Sequence, residues 1–192
     1  MDETNPFGSE TATSNTTSAE NTPLISDTSV EAKSKAVLAK PLKISIIIPT
    51  SAYFMSGLRD FTMNVVRNMT GFSEQWAFRF QSVVDELVNN AIEFGSAPGT
   101  DVKITFISTK GKSIEIFVED TGTGPKKKTA MEMISYIEEH KFMDPTKITT
   151  IRGRGLSQIV ANWTDVLEFK DNSAGGLTVH VAKFLDSGEQ TL

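Results

Sequence analysis

The chain has no cysteine and only two histidines among its 192 residues. The first absence rules out a disulfide framework and a thiolate metal site. The histidines, His140 and His180, lie 40 positions apart without a partnering His or Cys motif, so a protein-built zinc site is not expected. No apolar run approaches the ~20 residues of a membrane span. The N-terminus lacks both the basic and the apolar segments of a secretory signal. The expectation is a cytoplasmic protein that does not use a membrane. Basic excess is missing too: 24 acids against 19 Lys and Arg give a formal charge of −5. Residues 1–30 hold five of the acids and no Lys or Arg, which leaves the remaining chain balanced. Without a broad basic face, direct nucleic-acid binding is not expected.

What is present divides unevenly. Residues 1–40 open with "MDETNPFGSETATSNTTSAENTPLISDTS", rich in Ser, Thr and Asn and poor in large apolar residues, and read as a disordered tail. Residues 41–186 are long enough for one domain with a substantial core. Residues 187–192 read as a short C-terminal tail.

Within 41–186 the punctuation is regular. "LKISIII" alternates, is β-branched and ends at Pro49, which predicts a strand. Thr50 and Ser51 are positioned to cap a helix running to about Asn68, with Gly71 beyond it. Ser73 is positioned to cap a longer helix reaching Phe94, stopped by Gly95. "DVKITFIST" and "SIEIFVED" read as a hairpin across "KGK". Thr129 and Glu132 have the spacing of a capping box before a helix with Met131, Ile134 and Ile137 along one side. "GLSQIVANW" reads as a short helix after the glycine loop "RGRG", and "DVLEF" and "LTVHVAKF" as paired strands across "KDNSAGG". Hairpins outnumber crossovers. The expected fold is α+β, a two-layer sandwich of a largely antiparallel sheet with helices packed on one face.

Three polar features interrupt this pattern. On the second helix, Trp76, Phe80, Val83, Val84, Leu87, Val88 and Ala91 form one apolar stripe at about 100° per residue. Glu86 and Asn90 fall about 40° apart on its border. A carboxylate beside an amide oxygen suits a base and a magnesium ligand, because magnesium prefers hard oxygens and retains waters. "VEDTGTG" sets Asp120 at a strand end before Gly122 and Gly124, where an ionised Asp can accept a hydrogen bond from an exocyclic amine and glycines admit a ligand to the backbone. "IRGRGL" offers Arg152 and Arg154 as phosphate donors, with Gly153 and Gly155 ahead of a helix start. Read alone, each also fits an ordinary boundary residue, a glycine turn or a basic loop. The "KKK" run, Lys126 to Lys128, could screen phosphate charge but reads better as a solvated stretch at a helix start.

The order of the three is specific. Glu-x-x-x-Asn, then Asp-x-Gly-x-Gly, a variable stretch and Gly-x-Gly-Leu resemble the GHKL ATPase superfamily of gyrases, chaperones and histidine kinases. From about Leu42 to Phe184 the chain most resembles bacterial anti-sigma-factor serine/threonine kinases. The resemblance implies the Bergerat ATP-binding fold, with ATP and Mg2+ as ligands. It gives Glu86 the role of general base and Asn90 that of magnesium ligand. Asp120 would bind the adenine amino group, supported by Thr178, in a pocket shaped by Gly122 and Gly124. Residues 125–152 would form a lid hinged at Gly153 and Gly155, and Arg152, Arg154 and Leu156 would complete the nucleotide site. The implied partners are an anti-sigma-factor antagonist as phosphoacceptor, a sigma factor held in sequestration, and a second copy of the chain as a homodimer.

There are departures. Anti-sigma kinases often carry His four residues after the Asn, where this chain has Phe94, and the lid holds its own helix. A nucleotide-binding partner-switching module without phosphotransfer therefore stands beside the kinase reading. A histidine kinase would need a phosphoacceptor His in an upstream hairpin, and residues 1–40 contain none.

Overall fold

Apolar residues at alternate positions make each strand two-faced, and strand register brings like faces together. A computed structural model describes residues 40–141 and 155–186. Residues 1–39 and 187–192, the expected tails, lie outside them. The strands are β1 (Leu42–Pro49), β2 (Asp101–Thr109), β3 (Ser113–Glu119), β4 (Val166–Asp171) and β5 (Leu177–Phe184). They form one sheet in the order β1-β2-β3-β5-β4, antiparallel at every pairing. Register aligns Ile44, Phe106, Ile116, Val181 and Leu167 in one row, and Ile46, Ile104, Val118, Val179 and Phe169 in the next. Both rows belong to the core. On the other face Phe117 stacks on His180 with centroids 4.2 Å apart. The His180 ring nitrogens lie 3.1 Å from Glu115 and 3.3 Å from Glu168.

The helices cover the first face. Helix α1 (Met55–Met69) starts later than the capping signal suggests, because a single tight turn at Ala52–Phe54 precedes it and uses the Ser51 hydroxyl, which accepts from the Tyr53 amide at 3.3 Å. Phe61 of α1 meets Phe106 edge-on at 5.6 Å, and Arg59 pairs with Asp85 of the next helix at 2.5 Å. Helix α2 (Glu74–Asn90) continues as a wide π-type turn over Ala91–Gly95. Ser73 holds the N-cap position, but its side chain makes no capping bond. Its carbonyl accepts from Trp76 and Ala77, at 3.0 and 3.2 Å. The whole predicted stripe from Trp76 to Ala91 is buried. Each of its large members contributes roughly 1.5–3 kcal/mol relative to exposure, which fixes the rotation of α2 and hence where Glu86 and Asn90 lie.

Helix α3 (Ala130–Lys141) carries the expected capping box: Thr129 N donates to Glu132 Oε2 at 2.7 Å, and Glu132 N to Thr129 Oγ1 at 3.3 Å. The Ala130 amide also donates to Asp171 at the end of β4, at 2.9 Å. Its inward side differs from the expected one. Ala130, Met133 and Ile137 pack on the core, while Met131 and Ile134 are exposed. The cap and its tie to β4 set the helix's rotation, overriding a stripe that runs equally well one step round. The segment Gly155–Val160 is helical with wide π-type turns and leads into Ala161–Trp163. Among the described residues no helix is long and apolar enough to cross a membrane.

Candidate functional site

A cavity of about 310 Å³ opens between α2, β3, β5 and α3. Its floor is apolar, with Leu87, Ala91, Val118, Leu156, Leu177 and Val179 among its lining residues. Polar groups enter from α2 (Glu86 and Asn90), from the end of β3 (Asp120), from the segment leading into α3 (Lys126 and Lys128) and from α3 itself (Tyr136). The structure thus brings together Glu86, Asn90, Asp120, Leu156 and Phe94 around one space. Arg152, Gly153 and Arg154 lie outside the described residues.

Asn90 lies one turn beyond Glu86 and donates its amide hydrogen to Glu86 Oε1 at 2.9 Å. That bond leaves the Asn90 amide oxygen as the atom available to a ligand. Burial pushes the Glu86 pKa up, the Asn90 bond offsets part of this, and the charges of Glu93 and Asp85 raise it further. Gly155 packs directly on the carboxyl group: a Cβ there would lie 1.9 Å from Glu86 Cδ.

Asp120 is held as tightly. Its Oδ1 accepts from Gly122 N at 2.9 Å and from Leu177 N at 3.0 Å. Its backbone carbonyl accepts from Asn172 Nδ2 at 2.8 Å. Asn172 Oδ1 in turn accepts from the amides of Ala174 and Gly176, both at 3.0 Å, so the β4–β5 turn and Asp120 are one hydrogen-bonded unit. Burial raises the Asp120 pKa, countered by the two amide donors and the charge of Lys127. Gly122 has φ +65°, a conformation L side chains rarely adopt, and a Cβ on it would lie 1.9 Å from the Gly175 carbonyl oxygen. Gly124 packs in the same way against the Phe94 carbonyl.

Several contributors were not read from the sequence. Gly95, expected only to stop α2, approaches Asp120 so closely that a Cβ would lie 2.2 Å from Oδ2, and a Cβ on Gly176 would lie 2.4 Å from Oδ1. A hydroxyl network braces the "TGT" loop: Thr121 N donates to Ser96 Oγ at 3.2 Å, Ala97 N to Thr123 Oγ1 at 3.0 Å, and the Thr121 and Thr123 hydroxyls meet at 2.7 Å. Lys126 and Lys128 line the cavity, while all three lysines are exposed, as the reading of "KKK" as a solvated run has it. Thr178 is not brought to the site. It pairs with Glu119 and Lys170 on β5, and alternation gives the cavity its neighbours Leu177 and Val179 instead.

The family model described as histidine kinase-, DNA gyrase B- and HSP90-like ATPase matches residues 77–186, more than half of the 192-residue chain. The chain belongs to this ATPase family. The matched span holds α2 from Ala77 onward, β2 to β5 and α3, and with them every cavity-lining residue, whereas β1 and α1 precede it. A search of curated proteins finds no match to the chain. Within the GHKL ATPase domain, no group of three or more His, Cys, Asp or Glu is arranged to hold a metal among the described residues.

Proposed function

We propose that the cavity binds ATP and that the chain is a protein serine/threonine kinase of the anti-sigma type. It would transfer the γ-phosphoryl group to a hydroxyl of an anti-sigma-factor antagonist and separately sequester a sigma factor. The observation that carries the reading is the placement of two half-buried carboxylates, Glu86 and Asp120, on one apolar cavity whose family is an ATPase family.

The Asp120 carboxylate, fixed by two amide donors, presents Oδ2 as an acceptor for an exocyclic amine, and the apolar lining suits a planar base. The donor set at the other end fits magnesium. Asn90 offers one hard oxygen next to a carboxylate, and an ion held by few protein ligands together with substrate phosphates and waters is magnesium's usual mode. Bound there, magnesium would neutralise phosphate charge. The residues of the chain do the rest. Asp120 orients the base, Asn90 holds Glu86 in place, and Glu86 receives the proton of the attacking hydroxyl as the new O–P bond forms and the bond from the γ-phosphorus to the β,γ-bridging oxygen breaks, releasing ADP. A carboxylate whose pKa is raised by burial is the stronger base.

The binding-only alternative draws on one feature, the closeness with which Gly155 covers the Glu86 carboxyl. The deciding experiment incubates the purified chain with γ-labelled ATP, magnesium and its co-purifying partner. Label on a partner Ser or Thr that disappears in Glu86→Gln supports the kinase. Nucleotide binding without transferred label supports the switch module.

A further inference from the structure

The β4–β5 turn reaches the base-binding carboxylate through one side chain. Asn172, the first residue after β4, is half-buried, whereas Ser173, Ala174 and Gly175 beyond it are exposed. Its Nδ2 donates to the Asp120 carbonyl at 2.8 Å, and its Oδ1 accepts from the amides of Ala174 and Gly176 at 3.0 Å. A primary amide offers a donor and an acceptor in one planar fork, whereas a carboxylate has no hydrogen to give. The partners also fix which way the fork points, since flipping it would set hydrogens against two N–H groups. The bonds close into a ring. Gly176 is followed by Leu177, whose amide donates to Asp120 Oδ1 at 3.0 Å and whose carbonyl accepts from the Asp120 amide at 3.0 Å. Asn172 thus grips Asp120 at its carbonyl directly and at its carboxylate by way of Gly176 and Leu177. The start of the turn is itself anchored, because the preceding Asp171 accepts from the Ala130 amide at the head of α3.

Asn172 does not line the cavity, so it acts on a ligand only through Asp120. A carboxylate at a strand end distinguishes bases only where its oxygen lies in line with the ligand's N–H, because hydrogen bonds weaken steeply with misalignment. The apolar floor, by contrast, accepts a planar ring whatever its substituents. Freed from Asn172, Asp120 would keep the amide donors of Gly122 and Leu177 but lose the tie on its backbone carbonyl. We propose that Asn172 is a positioning residue that sets the preference of the site for a base bearing an exocyclic amine, by holding Asp120 in line for that bond. The proposal rests on the reading of the cavity as an ATP site.

The test is calorimetric titration of the full chain, in magnesium, with ADP and with purine riboside diphosphate, which lacks only the exocyclic amine. Wild type should bind ADP about 10- to 100-fold more tightly, the difference that a hydrogen bond to a charged acceptor makes. In Asn172→Ala and Asn172→Asp that ratio should collapse towards one, with ADP weakened and the analogue near its wild-type affinity. Asn172→Asp keeps an acceptor for the turn's amides and loses only the donor to Asp120, so it separates the two halves of the clasp. ADP and analogue weakened in equal proportion would make Asn172 a residue of the fold alone and overturn the proposal, as would variants that keep the wild-type ratio. If Asn172→Ala does not fold, Asn172→Asp decides, and unfolding of both also overturns the assignment. Wild-type protein that binds the two ligands equally would instead refute the adenine role of Asp120, an outcome separate from failure of Asn172.

Discussion

Adding one methyl group at Gly95 should disable the base-binding end of the cavity without substituting any residue assigned to contact nucleotide. A Cβ at Gly95 would lie 2.2 Å from Asp120 Oδ2, 2.3 Å from Cγ and 2.7 Å from Cβ. Comfortable contact for such atoms is about 3.5 Å, so the carboxyl group must retreat by roughly 1 Å. Room to retreat is short, because Gly176 packs so near the same carboxyl group that a Cβ on it would lie 2.4 Å from Oδ1. The group must instead rotate away and release the amide donors of Gly122 and Leu177 at 2.9 and 3.0 Å. Gly95 has no left-handed φ, so backbone strain is not part of the cost. Overpacking of this kind costs about 1–3 kcal/mol of stability, less than the 5–15 kcal/mol by which a domain typically exceeds its unfolded state. The Gly95→Ala protein should therefore fold. Misplacing a hydrogen bond to a charged acceptor, worth about 1.5–3 kcal/mol, should lower nucleotide affinity roughly 10- to 100-fold. Urea denaturation measures the first quantity and titration with ADP and magnesium the second. Wild-type affinity in a folded Gly95→Ala protein would show that Asp120 is not what holds the base.

Other expectations follow from the same geometry. Asp120→Ala should abolish measurable ADP binding while the circular-dichroism spectrum stays native, and retained affinity would remove the adenine assignment. Glu86→Gln should reduce single-turnover phosphate transfer by roughly 10²- to 10⁴-fold at saturating ATP, with affinity nearly unchanged; a variant as fast as wild type ends the role of base. The same substitution should make the ligand-free protein more stable at neutral pH. The folded pKa of Glu86 is raised, so between the unfolded value of 4.5 and the folded value only the folded state holds the proton, and stability falls as pH rises through that window. The advantage of Gln should accordingly shrink in denaturation curves as pH drops towards 4.5 and below. Thr129→Ala should cost about 1 kcal/mol by removing the cap of α3, and ATP should protect Ala130–Lys141 from amide exchange more than Leu42–Pro49; equal protection would argue that α3 does not wall the nucleotide site.

The parts of the fold legible in the sequence are those set by local period and local hydrogen bonding. The strand alternation, the α2 stripe and the Thr129–Glu132 box each involve residues a few positions apart, and all three stand as expected. What escaped depends on approach between distant segments. Gly95 and Gly176 flank Asp120 only because α2 ends where β3 and β5 pair, a relation no local pattern encodes. Thr178 illustrates how a shift of one residue changes faces: pairing opposite Glu119 puts Leu177 and Val179 on the cavity and Thr178 off it. The lysines after Gly124 are the exposed run the sequence suggests, and only the docking of α3 shows that two of the three also line the cavity.

The link through Asn172 has a practical consequence for protein engineering. A hairpin turn of small polar residues at the surface, such as the one between β4 and β5, is ordinarily the first place chosen for an affinity tag, a fluorophore or a circular permutation. Here the side chain at the base of that turn clasps both the turn's own amides and the carbonyl of Asp120. Insertions between Asn172 and Gly176 would thus be felt at Asp120 and the cavity it lines, so a reporter meant to be silent belongs elsewhere, while one meant to sense occupancy of the cavity belongs there.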